Sequence, residues 1–177
     1  MMVVVTGGSG SGKSAFAEDT VLSFGNAKRY YIATMYPFDE ESRQRVKRHQ
    51  AMRAGKGFQT IECFTGLNKV TVSDKSVVLL ECMSNLAANE MFREDGAHEH
   101  MVEAILDGVR RLRERAAHLV IVTNEIFSEA EQYAEETQRY RKQLGEINCA
   151  ISEMADQVVE VVYGIPVCCK REKRAGT

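Results

Sequence analysis

The most constraining feature of this 177-residue sequence is a glycine-rich octapeptide between an apolar segment and a helical pattern. Residues 7–14 read GGSGSGKS, which fits the pattern G-x-x-x-x-G-K-S/T. Glycines let successive backbone N–H groups turn toward one anion, and the helix that follows adds the positive end of its dipole. A merely flexible turn does not explain this order of strand, loop, Lys-Ser and helix. We therefore predict a phosphate-binding loop formed by Gly7, Gly8, Ser9, Gly10, Ser11, Gly12, Lys13 and Ser14.

The side chains of this loop predict a nucleoside triphosphate with Mg²⁺, without specifying a reaction. Lys13 is placed to bridge the β- and γ-phosphates, and the Ser14 hydroxyl to coordinate the metal. Glu81 ends an apolar strand, and ligands of parallel sheets bind at such strand ends. We predict that Glu81 binds the metal directly or through water, a solvent-facing acid being the alternative. Asn124 and Glu125 follow another strand and are weaker candidates.

Apolar runs and helical patterns alternate along the chain, which predicts a doubly wound, mostly parallel sheet in a single α/β domain spanning residues 1–177. The predicted strands are Met2–Thr6, Tyr30–Thr34, Val77–Glu81, Leu119–Thr123 and Gln157–Tyr163, with a shorter candidate at Phe58–Cys63. The predicted helices are Lys13–Ser23, Asp39–Arg53, Ser84–Phe92, His98–Ala116 and Ala130–Ala155. The last residues, 170–177, are expected to form a charged, frayed tail.

Composition limits the classes of partner. The net charge is −2 and 44% of residues are apolar, so neither a nucleic acid nor a membrane surface is indicated. No apolar run reaches the roughly 18 residues of a membrane helix, and the N-terminal run has neither the length nor the basic start of a signal peptide. An odd number of cysteines, five, and no C-x-x-C motif favour a reduced, cytoplasmic protein.

A basic segment at 39–53 contains a row of three side chains. Arg45, His49 and Arg53 are four residues apart, so they share one helix face that suits a polyphosphate. An imidazole can also act as a nucleophile toward phosphorus. From the spacing alone, however, a solvated charged face is the commoner explanation. The other histidines, His98, His100 and His118, do not form a metal-ligand pattern.

The ordered set of motifs resembles the bifunctional adenosylcobinamide kinase/adenosylcobinamide-phosphate guanylyltransferases over nearly the whole length. The likeness comprises VTGGSGSGKS at 5–14, YIAT at 31–34, RVKRHQAMR at 45–53, TIEC at 60–63, LLEC at 79–82 and VTNE at 122–125. It continues through LGEIN at 144–148 and ADQVVEVVYGIPV at 155–167. The usual family pattern differs at Gly10, at Arg48 and in segment 126–133.

The resemblance implies a RecA-like P-loop fold, a homo-oligomer, expected to be a trimer, and two reactions. In the first reaction, the aminopropanol hydroxyl of adenosylcobinamide receives a phosphoryl group from ATP or GTP, with Mg²⁺ as the cofactor. A histidine, matched here by His49, then takes GMP from GTP and passes it to the phosphorylated corrinoid. The chemistry of the residues fits these reactions, because Lys13 as a catalytic residue and Arg45 and Arg53 as a phosphate clamp can stabilise the charge of phosphoryl transfer. Besides the loop, the positions implied for nucleotide binding are Ala33, Thr34, Met35, Gln50, Ala51, Met52, Arg53, Glu62 and Glu81.

Two other functions fit the same residues. One is a small-molecule or nucleotide kinase without a covalent intermediate, in which His49 only contacts phosphate and Arg139, Arg141 and Lys142 form a lid. The other is a non-catalytic nucleotide sensor that controls a partner. A guanylyl adduct formed with GTP alone would exclude the first, and turnover of a triphosphate with cobinamide would exclude the second.

Overall fold

Seven strands form one sheet in the computed structural model, which describes residues 1–126 and 134–171. The strands are β1 (Met2–Thr6), β2 (Arg29–Ala33), β3 (Phe58–Glu62), β4 (Val77–Glu81), β5 (His118–Val122), β6 (Gln157–Val162) and β7 (Ile165–Arg171). The helices are α1 (Lys13–Ser23), α2 (Glu40–Arg53), α3 (Met83–Phe92), α4 (Met101–Arg115) and α5 (Glu135–Met154). Short 3₁₀ turns cover Leu67–Lys69 and His98–His100.

The predicted doubly wound sheet is confirmed. Its strand order is β3-β2-β4-β5-β1-β6-β7, and every neighbouring pair is parallel except β6 and β7. The six strands predicted from apolar runs all form, with ends that differ by a residue or so. The predicted helix at His98–Ala116 is split, because a 3₁₀ turn precedes α4. Of the predicted helix at Ala130–Ala155, residues 130–133 lie outside the described residues.

Strand β7 was not predicted, and it corrects the expectation that the charged tail begins at Lys170. Lys170 and Arg171 pair with Val158 and Gln157 at the end of an antiparallel hairpin. Pro166 conceals this strand in the sequence, since a central strand excludes proline, whereas an edge strand tolerates it. Tyr163 and Gly164 both have left-handed φ angles, 51° and 80°, which suit a tight hairpin turn. Residues 172–177 of the expected tail lie outside the described residues.

Apolar residues cover both faces of the sheet. Val3, Val5 and Leu79 point toward α1, where Ala17 and Val21 are buried. Val4, Ile32 and Leu80 point to the opposite face, which α3, α4 and α5 cover with a larger apolar cluster. Cys63 and Cys82 are buried within these clusters as free thiols, and all five cysteines are unpaired. No helix within the described residues is long and apolar enough to cross a membrane.

The parallel register aligns the strand ends that were predicted to form the site. Ala33 on β2 pairs with Glu62 on β3 and with Glu81 on β4, and Glu81 pairs in turn with Val122 on β5. These residues therefore form one row at the carboxyl edge of the sheet, where ligands of α/β folds bind. The loop that follows β1 opens on the same edge.

Helix α2 is attached to the domain mainly through polar side chains. Its start is fixed by a capping box, in which Asp39 accepts from the Ser42 N–H and Ser42 accepts from the Asp39 N–H. Its only buried residues are Ser42 and Arg53. Just beyond its C-terminus, Lys56 donates to the fully buried Glu18 of α1 over 2.5 Å. This ion pair joins the end of α2 to the helix that follows the phosphate-binding loop.

We expect Lys56→Met to lower the free energy of unfolding by about 1–3 kcal/mol, because it leaves the buried Glu18 carboxylate without its counter-charge. One oxygen of Glu18 already has no hydrogen-bond partner. Urea denaturation of the wild type and variant measures the change. The double variant Glu18→Gln/Lys56→Met should recover part of the loss, and Lys69→Met, at an exposed lysine, should be neutral. A Lys56→Met variant as stable as the wild type would show that the pair contributes nothing.

Candidate active site

The glycine-rich loop has the backbone conformation that the motif predicts. Gly10 and Gly12 have φ angles of 70° and 92°, which side chains disfavour, and Gly12 caps the start of α1. At Gly7 a Cβ would lie 2.5 Å from the carbonyl oxygen of Val161, so only glycine fits there. The N-terminal N–H groups of the 11-residue helix α1 therefore face a loop that has no side chains at these three glycines.

Lys13 is buried, and its side chain folds back over the loop. Its Nζ donates to the carbonyl oxygen of Gly8 over 2.9 Å. Burial lowers the pKa of Lys13, and the neighbouring Cys82 and Glu81 side chains oppose this in part. Among the described residues it forms no ion pair with a carboxylate. A desolvated ammonium with a single carbonyl partner suits a phosphate anion, which would supply the missing negative charge.

Three functional side chains converge on the Glu81 carboxylate. The Ser14 hydroxyl donates to its Oε1, and the Tyr31 hydroxyl donates to its Oε2 over 2.9 Å. Nδ1 of His49 lies 3.4 Å from Oε1, but the two atoms do not form a hydrogen bond. The loop, the strand-end acid and the helix histidine predicted from sequence are thus brought together around one buried carboxylate.

Tyr31 belongs to this site although the sequence analysis did not single it out. Its ring is buried, and burial followed by the Glu81 charge raises the pKa of its hydroxyl, which therefore stays a donor. The guanidinium carbon of the buried Arg53 lies 3.5 Å from the ring centroid. Tyr31 lies two residues before Ala33 on the same strand face, and Ala33 pairs with Glu81. This spacing was the sequence signal that could have placed Tyr31 in the site.

The predicted row on α2 is only partly directed at the site. The His49 side chain is 24% exposed and Arg53 is buried, but Arg45 is 54% exposed and bonded to Glu41 over 2.6 Å. Arg45 therefore does not join the cluster around Glu81. The i, i+4 spacing placed the three residues on one face, yet that face turns toward solvent at its N-terminal end.

An open cavity of about 520 Å³ lies beside the C-terminal end of α2. Its lining comprises Gln50, Arg53, Ala54, Gly55, Gly57, Phe58 and Thr60. Two of these, Gln50 and Arg53, are among the positions predicted to bind nucleotide. Of the same predicted set, Ala51 is exposed and Met52 is half-buried.

The remaining predicted positions lie around the carboxyl edge. Ala33 and Met35 are half-buried, and Glu62 is exposed. Thr34 is buried, and its hydroxyl donates to the Cys82 carbonyl and accepts from the Cys82 N–H, so its side chain fixes the ends of β2 and β4. Asn124 likewise donates to the Ser84 hydroxyl over 2.7 Å. Glu125 is half-buried beside the loop, where its N–H donates to the Gly7 carbonyl over 3.2 Å.

The oxygen atoms around Ser14 and Glu81 suit Mg²⁺. This metal is commonly held by one carboxylate, a hydroxyl, water and substrate phosphates instead of a cage of protein ligands. Within residues 1–126 and 134–171 no group of three or more His, Cys, Asp or Glu side chains could hold a metal ion. Residues 127–133 of the atypical segment at 126–133 lie outside the described residues.

Solved structures with similar folds support the fold assignment. The flagellar accessory protein FlaH of Methanocaldococcus jannaschii aligns with 97% of this chain and 78% of its own, with a TM-score of 0.51 and 11% identity. A KaiC-like protein of Pyrococcus horikoshii aligns with 99% and 82%, with a TM-score of 0.53 and 11% identity. At such identities the likeness concerns the fold alone. The domain has a P-loop NTPase fold, as predicted.

Sequence comparison identifies the family. The bifunctional adenosylcobalamin biosynthesis protein CobU of Salmonella typhimurium is 31% identical, the alignment covering 94% of this chain and 98% of that protein. Its Escherichia coli counterpart is 30% identical with the same coverage. Residues 3–169 match the family described as cobinamide kinase / cobinamide phosphate guanyltransferase. The chain belongs to the cobinamide kinase / cobinamide phosphate guanyltransferase family.

Proposed function

We propose that this protein phosphorylates the aminopropanol hydroxyl of adenosylcobinamide and then attaches GMP from GTP, giving adenosylcobinamide-GDP for cobalamin biosynthesis. The single observation that carries this proposal is the cluster in which His49 lies 3.4 Å from the carboxylate that accepts from Ser14 of the phosphate-binding loop. A kinase needs the phosphate-binding loop and the acidic residue. A guanylyltransferase also needs a nucleophile that accepts GMP, and the adjacent imidazole of His49 can serve as one.

In the kinase reaction, the loop N–H groups and Lys13 bind the β- and γ-phosphates of ATP or GTP. The Ser14 hydroxyl and the Glu81 carboxylate would hold Mg²⁺, which neutralises charge on these phosphates when bound. The corrinoid hydroxyl attacks the γ-phosphorus and gives up its proton to water, the bond from the γ-phosphorus to the bridging oxygen breaks, and a nucleoside diphosphate leaves. The burial of Lys13 supports this role, because a charge in a poorly solvated site stabilises developing negative charge strongly.

In the guanylyl transfer, a ring nitrogen of His49 attacks the α-phosphorus of GTP. An N–P bond forms, the bond from the α-phosphorus to the bridging oxygen breaks, and pyrophosphate leaves. The phosphate of the corrinoid then attacks the same phosphorus and displaces the imidazole. The proximity of Nδ1 to Glu81 supports Nε2 as the nucleophile, since the carboxylate can hold a proton on Nδ1.

Arg53 is proposed to contact phosphates of the bound nucleotide, and Arg45 to do so from the solvent-facing end of the row by exchanging Glu41 for phosphate. The cavity beside Gln50 and Arg53 supports nucleotide contacts from the end of α2, including Ala51 and Met52. Ala33, Thr34, Met35 and Glu62 are proposed to line the nucleotide site along the carboxyl edge of the sheet. The Thr34 hydroxyl is engaged with Cys82, its N–H with the Glu81 carbonyl and its carbonyl with Asn89, so its proposed role is to shape the site.

We also propose a cytoplasmic homo-oligomer, a trimer by resemblance to the family. Within the described residues β7 is the edge strand of the sheet and its Val167 is exposed, which supports association between copies. The free thiols support a reducing compartment. Light scattering of the full chain tests the trimer, and a monomer over the working range of concentration would contradict it.

Intact mass after incubation with GTP and Mg²⁺, without corrinoid, tests the proposed function. The protein should gain one GMP, and a GTP analogue with a carbon bridge between the α- and β-phosphorus should give no adduct. A second arm, with ATP or GTP and adenosylcobinamide, should yield the corrinoid phosphate. If the protein is unmodified in the first arm but active in the second, the simple kinase is the better interpretation. If neither arm gives a product, the nucleotide sensor is.

Glu81→Gln is expected to weaken Mg²⁺-dependent catalysis much more than folding. The amide keeps the size of the side chain but removes the charge that holds the metal, so both reactions should slow by on the order of 10²-fold at limiting Mg²⁺. Rates measured across a Mg²⁺ titration, with urea denaturation alongside, separate the two effects. Glu160→Gln, on β6, serves as the matched control. A Glu81→Gln protein as active as the wild type at every Mg²⁺ concentration would make Glu81 a structural residue.

A further inference from the structure

The turn of the β6–β7 hairpin is in backbone contact with the phosphate-binding loop. The Gly164 N–H donates to the Ser11 carbonyl over 2.8 Å. The Gly7 Cα approaches the Val161 carbonyl so closely that no Cβ could be accommodated, and a Cβ on Gly12 would lie 3.4 Å from the Cα of Gly164. Any side chain that projects from this turn therefore stands at the rim of the loop.

Tyr163 is the side chain that projects there. It is 94% exposed, the most exposed large apolar residue described, and its φ angle of 51° lies in the left-handed region. Asparagine or glycine would satisfy this turn at lower conformational cost. Among the described aromatic residues none stacks on the Tyr163 ring. The fold therefore gives no reason for an aromatic residue at this position.

In the proposed kinase reaction the terminal phosphates would lie beside Ser14 and Glu81, and the strand order then indicates the direction in which the phosphoryl donor extends. Ser14 and Glu81, which would hold the metal at the terminal phosphates, lie toward β4. Strand β6 lies on the other side of β1. The nucleoside is attached to the α-phosphate, at the opposite end of the triphosphate, so it leaves the loop on the side of the β6–β7 turn.

We propose that Tyr163 is the stacking platform for the base of the nucleoside triphosphate that donates the phosphoryl group, an inference that rests on the proposed kinase function. Stacking on an aromatic ring is tolerant of base identity, because every base has a π-face. A platform of this kind accepts adenine and guanine alike, so Tyr163 supplies affinity without selecting between ATP and GTP.

The test compares three ligands by isothermal titration calorimetry with Mg²⁺: ATP, GTP and inorganic tripolyphosphate, which has no base. Tyr163→Ala should weaken ATP and GTP binding by about tenfold or more. Tripolyphosphate binding should be unchanged. Tyr163→Phe should behave as the wild type, because it keeps the ring. Ile165→Ala, another exposed apolar residue of the same hairpin, is the matched control and should bind all three ligands normally.

A fluorescent variant gives an independent readout, since the chain contains no tryptophan. Tyr163→Trp places the only indole at the proposed platform, and its emission should change with ATP or GTP but not with tripolyphosphate. Unchanged ATP and GTP affinity in Tyr163→Ala, or equal losses in Ile165→Ala, would overturn the proposal. Failure of the proposed function looks different: the wild type itself would then bind no triphosphate or form no GMP adduct.

Discussion

His49→Asn is expected to abolish the GMP adduct and to lower guanylyl transfer by on the order of 10⁴-fold or more, because the nucleophile is lost. In the wild type, the adduct should be acid-labile and base-stable, as expected of a phosphoramidate and not of a serine ester. Phosphorylation of the corrinoid hydroxyl should survive at least in part, since it needs no covalent enzyme intermediate. Intact mass and the two product assays measure these outcomes separately.

Asparagine is preferred to alanine here because it keeps a polar group of similar size near Glu81. In the wild type, Nδ1 of His49 lies 3.4 Å from Oε1 of Glu81. Arg45→Ala and Arg53→Ala are the neighbouring controls, one turn to each side. They should raise the GTP concentration needed for adduct formation without eliminating it at saturation. Continued GMP transfer by His49→Asn would show that another residue is the nucleophile.

Lys13→Ala is expected to abolish both reactions, each of which begins with a triphosphate in the same loop. The variant removes the buried ammonium that would stabilise charge on the transferring phosphorus, so each rate should fall by on the order of 10²–10³-fold or more. Initial rates of corrinoid phosphorylation and of adduct formation are the measurements.

Lys69→Ala, at an exposed lysine, controls for loss of a positive charge elsewhere in the chain. Circular dichroism should show that Lys13→Ala remains folded, because the hydrogen bond that the ammonium forms within the described residues is a single one, to the Gly8 carbonyl. Near-normal phosphorylation by a folded Lys13→Ala protein would mean that the loop is not the catalytic nucleotide site.

For the residues with strong local signals, the place in the fold was predictable from sequence. The loop, Lys13, Ser14 and Glu81 are marked by a motif or by their place at a strand end. His49 was not: its spacing alone favoured a solvated face, and the family resemblance reversed that interpretation. The position of His49 beside Glu81 is consistent with the resemblance. Membership of a family with relatives named as bifunctional also disfavours the simple kinase and the nucleotide sensor.

Features that depend on tertiary contacts were not predictable. Tyr31 looks like a core residue of an apolar strand, and only the register with β4 shows that its hydroxyl reaches Glu81. Arg45 shares a helix face with His49, but it is half exposed and forms an ion pair with Glu41 instead of reaching the site. Strand β7 was concealed by Pro166 and by the lysine and arginine at its end. In each case the deciding partner is distant in sequence or lies in another element.

The contact between the β6–β7 hairpin and the glycine-rich loop has a consequence for the entropy of binding. A free glycine-rich segment would have many conformations, and ordering it around a phosphate would cost about 1–2 kcal/mol for each residue fixed. Here the hydrogen bond from Gly164 to Ser11 and the close approach of Gly7 to Val161 hold two points of the loop against a strand of the sheet. Much of that ordering is therefore completed when the domain folds, and the anion meets a preorganised cradle.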